Sequence, residues 1–228
     1  MENTLRAECA RLHIPLTDAQ VQKMLAFAQA MLAQNEVMNL TAITQPEDVA
    51  RLHFADSLAL LNMTDFAEKS VVDVGCGAGF PGVPLKIAAP SIDLTLLDSL
   101  QKRISWLARA TAQLDIPANC VCARAEEWDR REAFDIAVSR AVAPLPILAE
   151  LCIPQLRVGG VFLAMKAATA DEELRRARHA IMVLGCKVED IVRYEIGGAA
   201  RCVIVSRKVS KTPTAYPRRY AKIKQQPL

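Results

Sequence analysis

Val71-Val72-Asp73-Val74-Gly75-Cys76-Gly77-Ala78-Gly79-Phe80-Pro81-Gly82 is the stretch on which the fold turns. Val71 to Val74 reads as a short apolar strand carrying one acid, and four glycines follow within eight positions. A glycine backbone bends where other residues clash and lets a ligand come close. Val83–Ala89, rich in Ala, Ile and Leu and ended by Pro90, reads as the next helix. A strand, a glycine turn and a helix in that order place a ligand at the carboxyl end of the first strand of an open α/β sheet.

Toward the C-terminus the pattern alternates. Strand Asp93–Leu97 precedes helix Leu100–Leu114, and strands Cys120–Ala123 and Phe134–Ser139 follow. Helix Pro146–Leu156 is expected to stop at Gly159-Gly160, a common C-terminal signal. Strand Val161–Met165 and helix Asp171–Leu184, closed by Gly185, lead to strands Lys187–Glu195 and Arg201–Arg207. These last two are close in sequence and are expected to be antiparallel. Alternating strands and helices predict an α/β fold with a doubly wound, mostly parallel sheet.

Toward the N-terminus the first 65 residues read as helical. Thr17 and Gln20 form a capping box, and Val21, Met24, Leu25, Ala28, Met31 and Leu32 recur at helical spacing to about Asn35. A second helix is expected from near Pro46 to Leu61, with His53 and Asp56 on one face. The chain thus divides into an N-terminal helical extension (1–65), a sheet domain (66–208) and a C-terminal tail (209–228).

The 228 residues suffice for one ordinary domain with an appendage, and 52% hydrophobic against 23% charged residues excludes wholesale disorder. No uncharged apolar run reaches the roughly 18–20 residues of a membrane span. Met1-Glu2-Asn3-Thr4 lacks the basic start and apolar stretch of a signal peptide, so a soluble, cytoplasmic protein is expected. The seven cysteines are scattered without a C-x-x-C pair and the three histidines lie far apart, so no metal site is expected. A monomer is the default. From Arg201 to Leu228 there are eight Lys/Arg and no Asp or Glu, against a net charge of +3 for the whole chain, so the preceding residues carry −5. An acidic body with a basic end fits a small-molecule domain that also binds a polyanion; the plain alternative is a solvated tail.

The glycine pattern leaves two cofactor classes to weigh. A dinucleotide fingerprint places G-x-G-x-x-G directly after the strand, and from Gly75 the third glycine is replaced by Phe80. Gly77-x-Gly79-x-x-Gly82 matches, but too far past the strand and with Pro81 inside it. Asp73, just before the turn, would repel a pyrophosphate and favour the cationic end of S-adenosylmethionine. Asp98, 23 residues after Gly75, stands where a ribose-binding acid belongs, which NAD and S-adenosylmethionine share; its other reading is a cap for the helix beginning at Ser99. Ala125-Glu126, after the third strand, is placed to touch an adenine. No Gly-Lys-Ser/Thr of an NTP site is present.

The fourth strand ends in Ser139-Arg140-Ala141, with no Asn/Asp-Pro-Pro-aromatic motif for amino-group methylation. Arg140 suits a carboxylate, a phosphate or a guanine O6, or else a structural ion pair. Arg124 and Lys166, near the same strand ends, carry the same ambiguity. His53 beside Asp56 reads as a packing pair or as a functional one.

Taken together these pieces resemble the ribosomal small-subunit methyltransferase G family, also called glucose-inhibited division protein B. The resemblance rests on Asn39-Leu40-Thr41-Ala42, His53-x-x-Asp56-Ser57-Leu58, Asp73-Val74-Gly75-x-Gly77-x-Gly79-x-Pro81-Gly82, Leu97-Asp98-Ser99-x-x-Lys102-Arg103, Ser139-Arg140-Ala141, Tyr216-Pro217-Arg218-Arg219 and Pro227-Leu228. It implies a bacterial class I, Rossmann-like enzyme that methylates N7 of one guanine in 16S ribosomal RNA with S-adenosylmethionine. The motifs carry cofactor roles to Gly75, Phe80, Ala125, Glu126 and Arg140, the last also as a positioning residue. The physical reading above adds Asp73, Gly77 and Asp98. His53, Lys166, Arg201, Arg218 and Arg219 are the candidates for RNA contact. Two positions depart from the family pattern: Leu52 stands where Arg usually precedes His53, and Ala167 follows Lys166 in place of Gly. Both lie on the expected RNA side.

Overall fold

The computed structural model describes residues 1–167 and 170–228. Two helices open the chain, α1 (Glu2–Arg11) and α2 (Asp18–Met38). The capping box is formed: Thr17 N donates to Gln20 Oε1 at 2.9 Å and Gln20 N to Thr17 Oγ1 at 3.3 Å. The buried residues of α2, Val21, Met24, Phe27, Ala28 and Met31, keep the helical period.

The segment expected as one helix from Pro46 is a mixed one. It begins as α3 (Pro46–Asp48), widens into a π-helix over Val49–Ala55, returns as α4 (Asp56–Leu58) and tightens into a 3₁₀ turn over Ala59–Asn62. π-helical turns inside a helix are rare and frequently found at functional sites. Here the π turn offers the Leu52 carbonyl and the His53 side chain to the same partner, described below.

Seven strands form one sheet in the order β3-β2-β1-β4-β5-β7-β6. They are β1 (Ser70–Val74), β2 (Asp93–Asp98), β3 (Asn119–Cys122), β4 (Phe134–Arg140), β5 (Leu156–Ala167), β6 (Cys186–Ile196) and β7 (Ala199–Lys208). The first five are parallel, and β7 is antiparallel to both β5 and β6. The crossover helices are α5 (Gly82–Ala88), α6 (Gln101–Gln113), α7 (Leu145–Cys152) and α8 (Ala170–Val183), and α9 (Tyr220–Gln225) closes the chain.

The central strands β1, β2 and β4 read as nearly continuous apolar runs because helices cover both faces. Val71, Leu94, Leu96, Ile136 and Val138 join the cluster that holds Met24, Phe27 and Trp106. Val72, Val74, Leu97 and Ala137 join the other, with Leu148, Ile181 and Ile223. The N-terminal helices are therefore built into one face of the sheet, and the C-terminal helix into the other.

Gly159 and Gly160 do not end a helix. Helix α7 stops at Cys152, because Pro154 in the 3₁₀ turn Ile153–Gln155 has no N–H to continue it. The glycines lie inside β5, where pairing with β4 slips between Phe134 and Ile136. A Cβ on Gly160 would stand 2.9 Å from the carbonyl oxygens of Arg157 and Asp135, so the pair serves a bulge.

Candidate active site

The parallel strands β1, β2, β4 and β5 all end at one edge, and the chain reverses its winding between β1 and β4. Ligands bind at such a switch point. The turn after β1 is held open by Gly75, Gly77 and Gly79, with φ of +74°, +55° and +94°. Gly75 N and Cys76 N donate to the Leu97 carbonyl at 2.8 and 3.1 Å, which fastens the turn to β2.

A cavity of about 470 Å³ opens over this turn, lined by Gly75, Gly77, Asp98, Ala125, Glu126 and Arg140 among others. Asp98 accepts from Gly77 N at 3.1 Å and from Leu100 N at 2.9 Å, so it shapes the turn rather than capping α6 itself. Arg103 Nη1 stands 3.7 Å from Asp98 Oδ2. Glu126 Oε1 is buried without a hydrogen-bond partner, the nearest cation being Arg124 Nη1 at 3.8 Å. A turn with room above its glycines, an acid at the end of β2 and an orphaned acceptor suit a nucleoside-bearing ligand.

Asp73 and Phe80 lie behind the turn and not on the cavity wall. Asp73 is fully buried, and its Oδ2 accepts from Gly82 N at 2.8 Å while Oδ1 has no partner. Burial pushes its pKa up to about 7 against the opposing Gly82 hydrogen bond. Phe80 stacks on His53 with ring centroids 4.5 Å apart, meets Phe27 and Phe54 edge-on, and lies under the Arg140 guanidinium.

Arg140, at the end of β4, reaches back to the π-helical turn. Its Nη1 donates to the Leu52 carbonyl at 2.8 Å and lies 3.4 Å from Asp56 Oδ2, and its Nη2 is 2.8 Å from His53 Nδ1. Arginine can only donate, so His53 Nδ1 accepts and Nε2 carries the proton toward Thr41 Oγ1, 2.8 Å away. Burial and the Arg140 charge push the His53 pKa down to about 3, so the ring is neutral.

A second cavity of about 470 Å³ lies on the other side of Arg140, with His53, Asp56, Lys166, Tyr194 and Arg201 in its wall. Arg201 Nε stands 3.8 Å from Asp56 Oδ1, and Lys166 Nζ holds the Ala143 carbonyl at 2.7 Å and Glu173 Oε2 at 2.8 Å. The structure thus gathers His53, Lys166 and Arg201 around Arg140. It sets Arg218 and Arg219 apart on the tail: Arg218 is bound to the buried Glu150 through its backbone N, Nε and Nη2, and Arg219 is exposed.

Tyr194 was not among the sequence candidates, yet its hydroxyl donates to Asp56 Oδ1 at 2.8 Å. The signal was present. Gly197-Gly198, with φ of +57° and +74°, makes a two-residue hairpin turn, and counting back from it sets Tyr194 opposite Arg201. Val142 was also missed. Its side chain sits over the cofactor turn, where a Cβ on Gly75 would lie 2.4 Å from Val142 Cγ2.

This sheet order is that of the class I, Rossmann-like methyltransferase fold. The same fold occurs in a SAM-dependent methyltransferase from Aquifex aeolicus (TM-score 0.57, 15% identity, 75% of this chain and 97% of that one). It also occurs in the cyclase SpnF (TM-score 0.58, 16% identity, 86% and 98%), so the fold alone does not fix the reaction. Within that class the chain belongs to the rRNA small subunit methyltransferase G family, whose sequence profile matches residues 20–201. The family's member from Desulfitobacterium hafniense (strain Y51) is 43% identical, over 96% of this chain and 93% of its own. The member from Alkaliphilus oremlandii is 41% identical over 100% and 99%.

Proposed function

We propose that the protein transfers a methyl group from S-adenosylmethionine to N7 of a guanine in bacterial 16S ribosomal RNA. Beyond family membership, the observation that carries this reading is the position of Arg140 in the wall shared by two cavities. One cavity has the glycine turn and Asp98; the other is rimmed by cations. S-adenosylmethionine supplies an electrophilic methyl group on a sulfonium.

In this reading the Gly75 and Gly77 backbone and Asp98 hold the cofactor's nucleoside, with Ala125 and Glu126 at its adenine. Asp73 and Phe80 act from behind the turn, Asp73 by fixing Gly82 and Phe80 by supporting His53 and Arg140. His53, Lys166 and Arg201 frame the base, and the exposed Arg219 meets phosphate. Arg218 is a poorer candidate for RNA, its charge being spent on Glu150.

Guanine N7 has an in-plane lone pair and no proton, so attack on the methyl group needs no general base. The neutral His53, its Nδ1 already engaged by Arg140, fits a site without one. Positioning supplies the rate. A cation reading the guanine contacts O6, because a donor on N7 would occupy the attacking lone pair. The partner is the small subunit or its RNA, the working form a monomer, and the compartment the cytoplasm.

The test is transfer from labelled S-adenosylmethionine to 30S subunits and to deproteinised 16S RNA, both from cells lacking the gene. Label at a single N7-methylguanine is expected. No label on either substrate, with cofactor binding intact, would overturn the reading.

A further inference from the structure

The C-terminal segment is strapped to the body. Thr212 is buried and its hydroxyl donates to the Leu184 carbonyl at 2.7 Å. Arg131 reaches the carbonyls of Thr212, Pro213 and Tyr216. Arg218 closes on Glu150, a carboxylate with no exposure of its own on α7, with Nη2 2.6 Å from Oε2 and both the backbone N and Nε 2.8 Å from Oε1. Ile223 is fully buried in the cluster that contains α7. Residues 220 and 223 share a face of α9, so burying Ile223 turns Tyr220 the same way. Tyr220 enters the wall of the cofactor cavity beside Arg124, Ala125 and Glu126, and the Arg124 guanidinium lies 6.0 Å from its ring centroid.

We infer that Tyr220 is a cofactor-binding residue, carried to the adenine end of the cavity by the C-terminal strap and kept there by the Arg218–Glu150 latch. This rests on the reading of that cavity as the S-adenosylmethionine site. An aromatic ring at the edge of a site that takes a planar base offers a stacking surface for it, and removing such a ring weakens base binding by about tenfold or more. Arg218 is then a positioning residue: it touches no ligand but fixes the segment that delivers Tyr220.

The experiment measures binding of S-adenosylmethionine, and of adenosine as a probe lacking the methionine part, by calorimetry with the full-length protein. Tyr220→Ala is expected to weaken both ligands by a similar factor, about tenfold or more. Tyr220→Phe retains binding, since the ring and not the hydroxyl makes the contact. Arg218→Ala, with Tyr220 present, is expected to weaken both ligands as well. Thermal unfolding of each variant separates lost contact from lost fold, and Tyr220→Leu replaces the alanine variant if that one does not fold. Unchanged affinity of folded Tyr220→Ala or Tyr220→Leu would overturn the inference. So would a loss confined to S-adenosylmethionine, which would put the ring at the methionine end. Wild-type protein that binds neither ligand would sink the cavity reading itself, a separate outcome.

Discussion

Arg140 Nη2 lies 2.8 Å from His53 Nδ1, an arginine at the end of β4 donating to a histidine in a π-helical turn more than 80 residues earlier. The contact fixes the tautomer of one residue and the direction of the other. Burial, with the Arg140 charge added, keeps His53 neutral, and the contact leaves it without a free acceptor facing the second cavity. His53 should therefore add no titration to the single-turnover rate of methyl transfer between pH 6 and 8 (a window about the usual histidine pKa of ~6.5). A titration in that window that disappears in His53→Gln would contradict this.

Two buried groups should pull stability in opposite directions as pH changes. Asp73 has its pKa raised to about 7, so the folded state holds the proton more tightly than the unfolded chain. Its contribution is fully present below about pH 4 and is lost as pH rises through about 7. His53 has its pKa lowered to about 3, so its contribution is present above about pH 6.5 and is lost as pH falls toward 3. Urea midpoints measured across this range should rise more steeply with pH in Asp73→Asn than in wild type, and less steeply in His53→Gln. Identical slopes in all three proteins would refute the assignment.

The glycines should differ in cost according to what surrounds them. A Cβ on Gly82 would stand 2.7 Å from Leu96 Cδ2 and 2.9 Å from Asp73 Oδ2, both in the packed interior. Gly82→Ala should therefore cost about 1–3 kcal/mol and loosen the turn that Asp73 holds. Gly159 has φ of +89° but open space around it, so Gly159→Ala should cost only about 1 kcal/mol of backbone strain. Chemical denaturation of the two variants, with cofactor affinity measured alongside, decides between them. Equal losses would show that the close approach at Gly82 does not matter.

The strand, glycine turn and helix around Gly75 were legible because local backbone chemistry dictates them. Alternation of strands and helices then led to the sheet. The π turn was not legible: Val49–Ala55 has ordinary helical spacing, and the Arg140 that takes up its Leu52 carbonyl lies far along the chain. Gly159-Gly160 misled for the same reason, since a glycine pair serves a bulge as well as a helix end and only the β4 partner distinguishes them. Phe80 stands out by its place in a motif and Asp73 by its charge before the turn, but tertiary packing puts neither side chain on the cavity wall. Arg218 and Arg219 look alike in sequence; a buried Glu150, 68 residues before Arg218, separates them.

That separation has a measurable consequence for RNA. Arg219, Lys222 and Lys224 are exposed, whereas the Arg218 charge is already neutralised by Glu150. Replacing the three exposed cations with Gln should lower the slope of log affinity against log salt by about two, as expected for two or three lost phosphate contacts. An unchanged slope would remove the tail from the RNA-binding surface.

The most direct test of Arg140 as the element joining the two cavities is single-turnover methyl transfer by Arg140→Ala and Arg140→Lys at saturating S-adenosylmethionine. Cofactor binding and thermal unfolding are followed on the same samples. Folded, cofactor-loaded Arg140→Ala should transfer methyl at least about 100-fold more slowly than wild type, because lost positioning acts on the chemical step. Arg140→Lys, lacking the planar fork that grips Leu52, His53 and Asp56 together, should recover little of that loss. Transfer by Arg140→Ala at the wild-type rate would contradict the central claim.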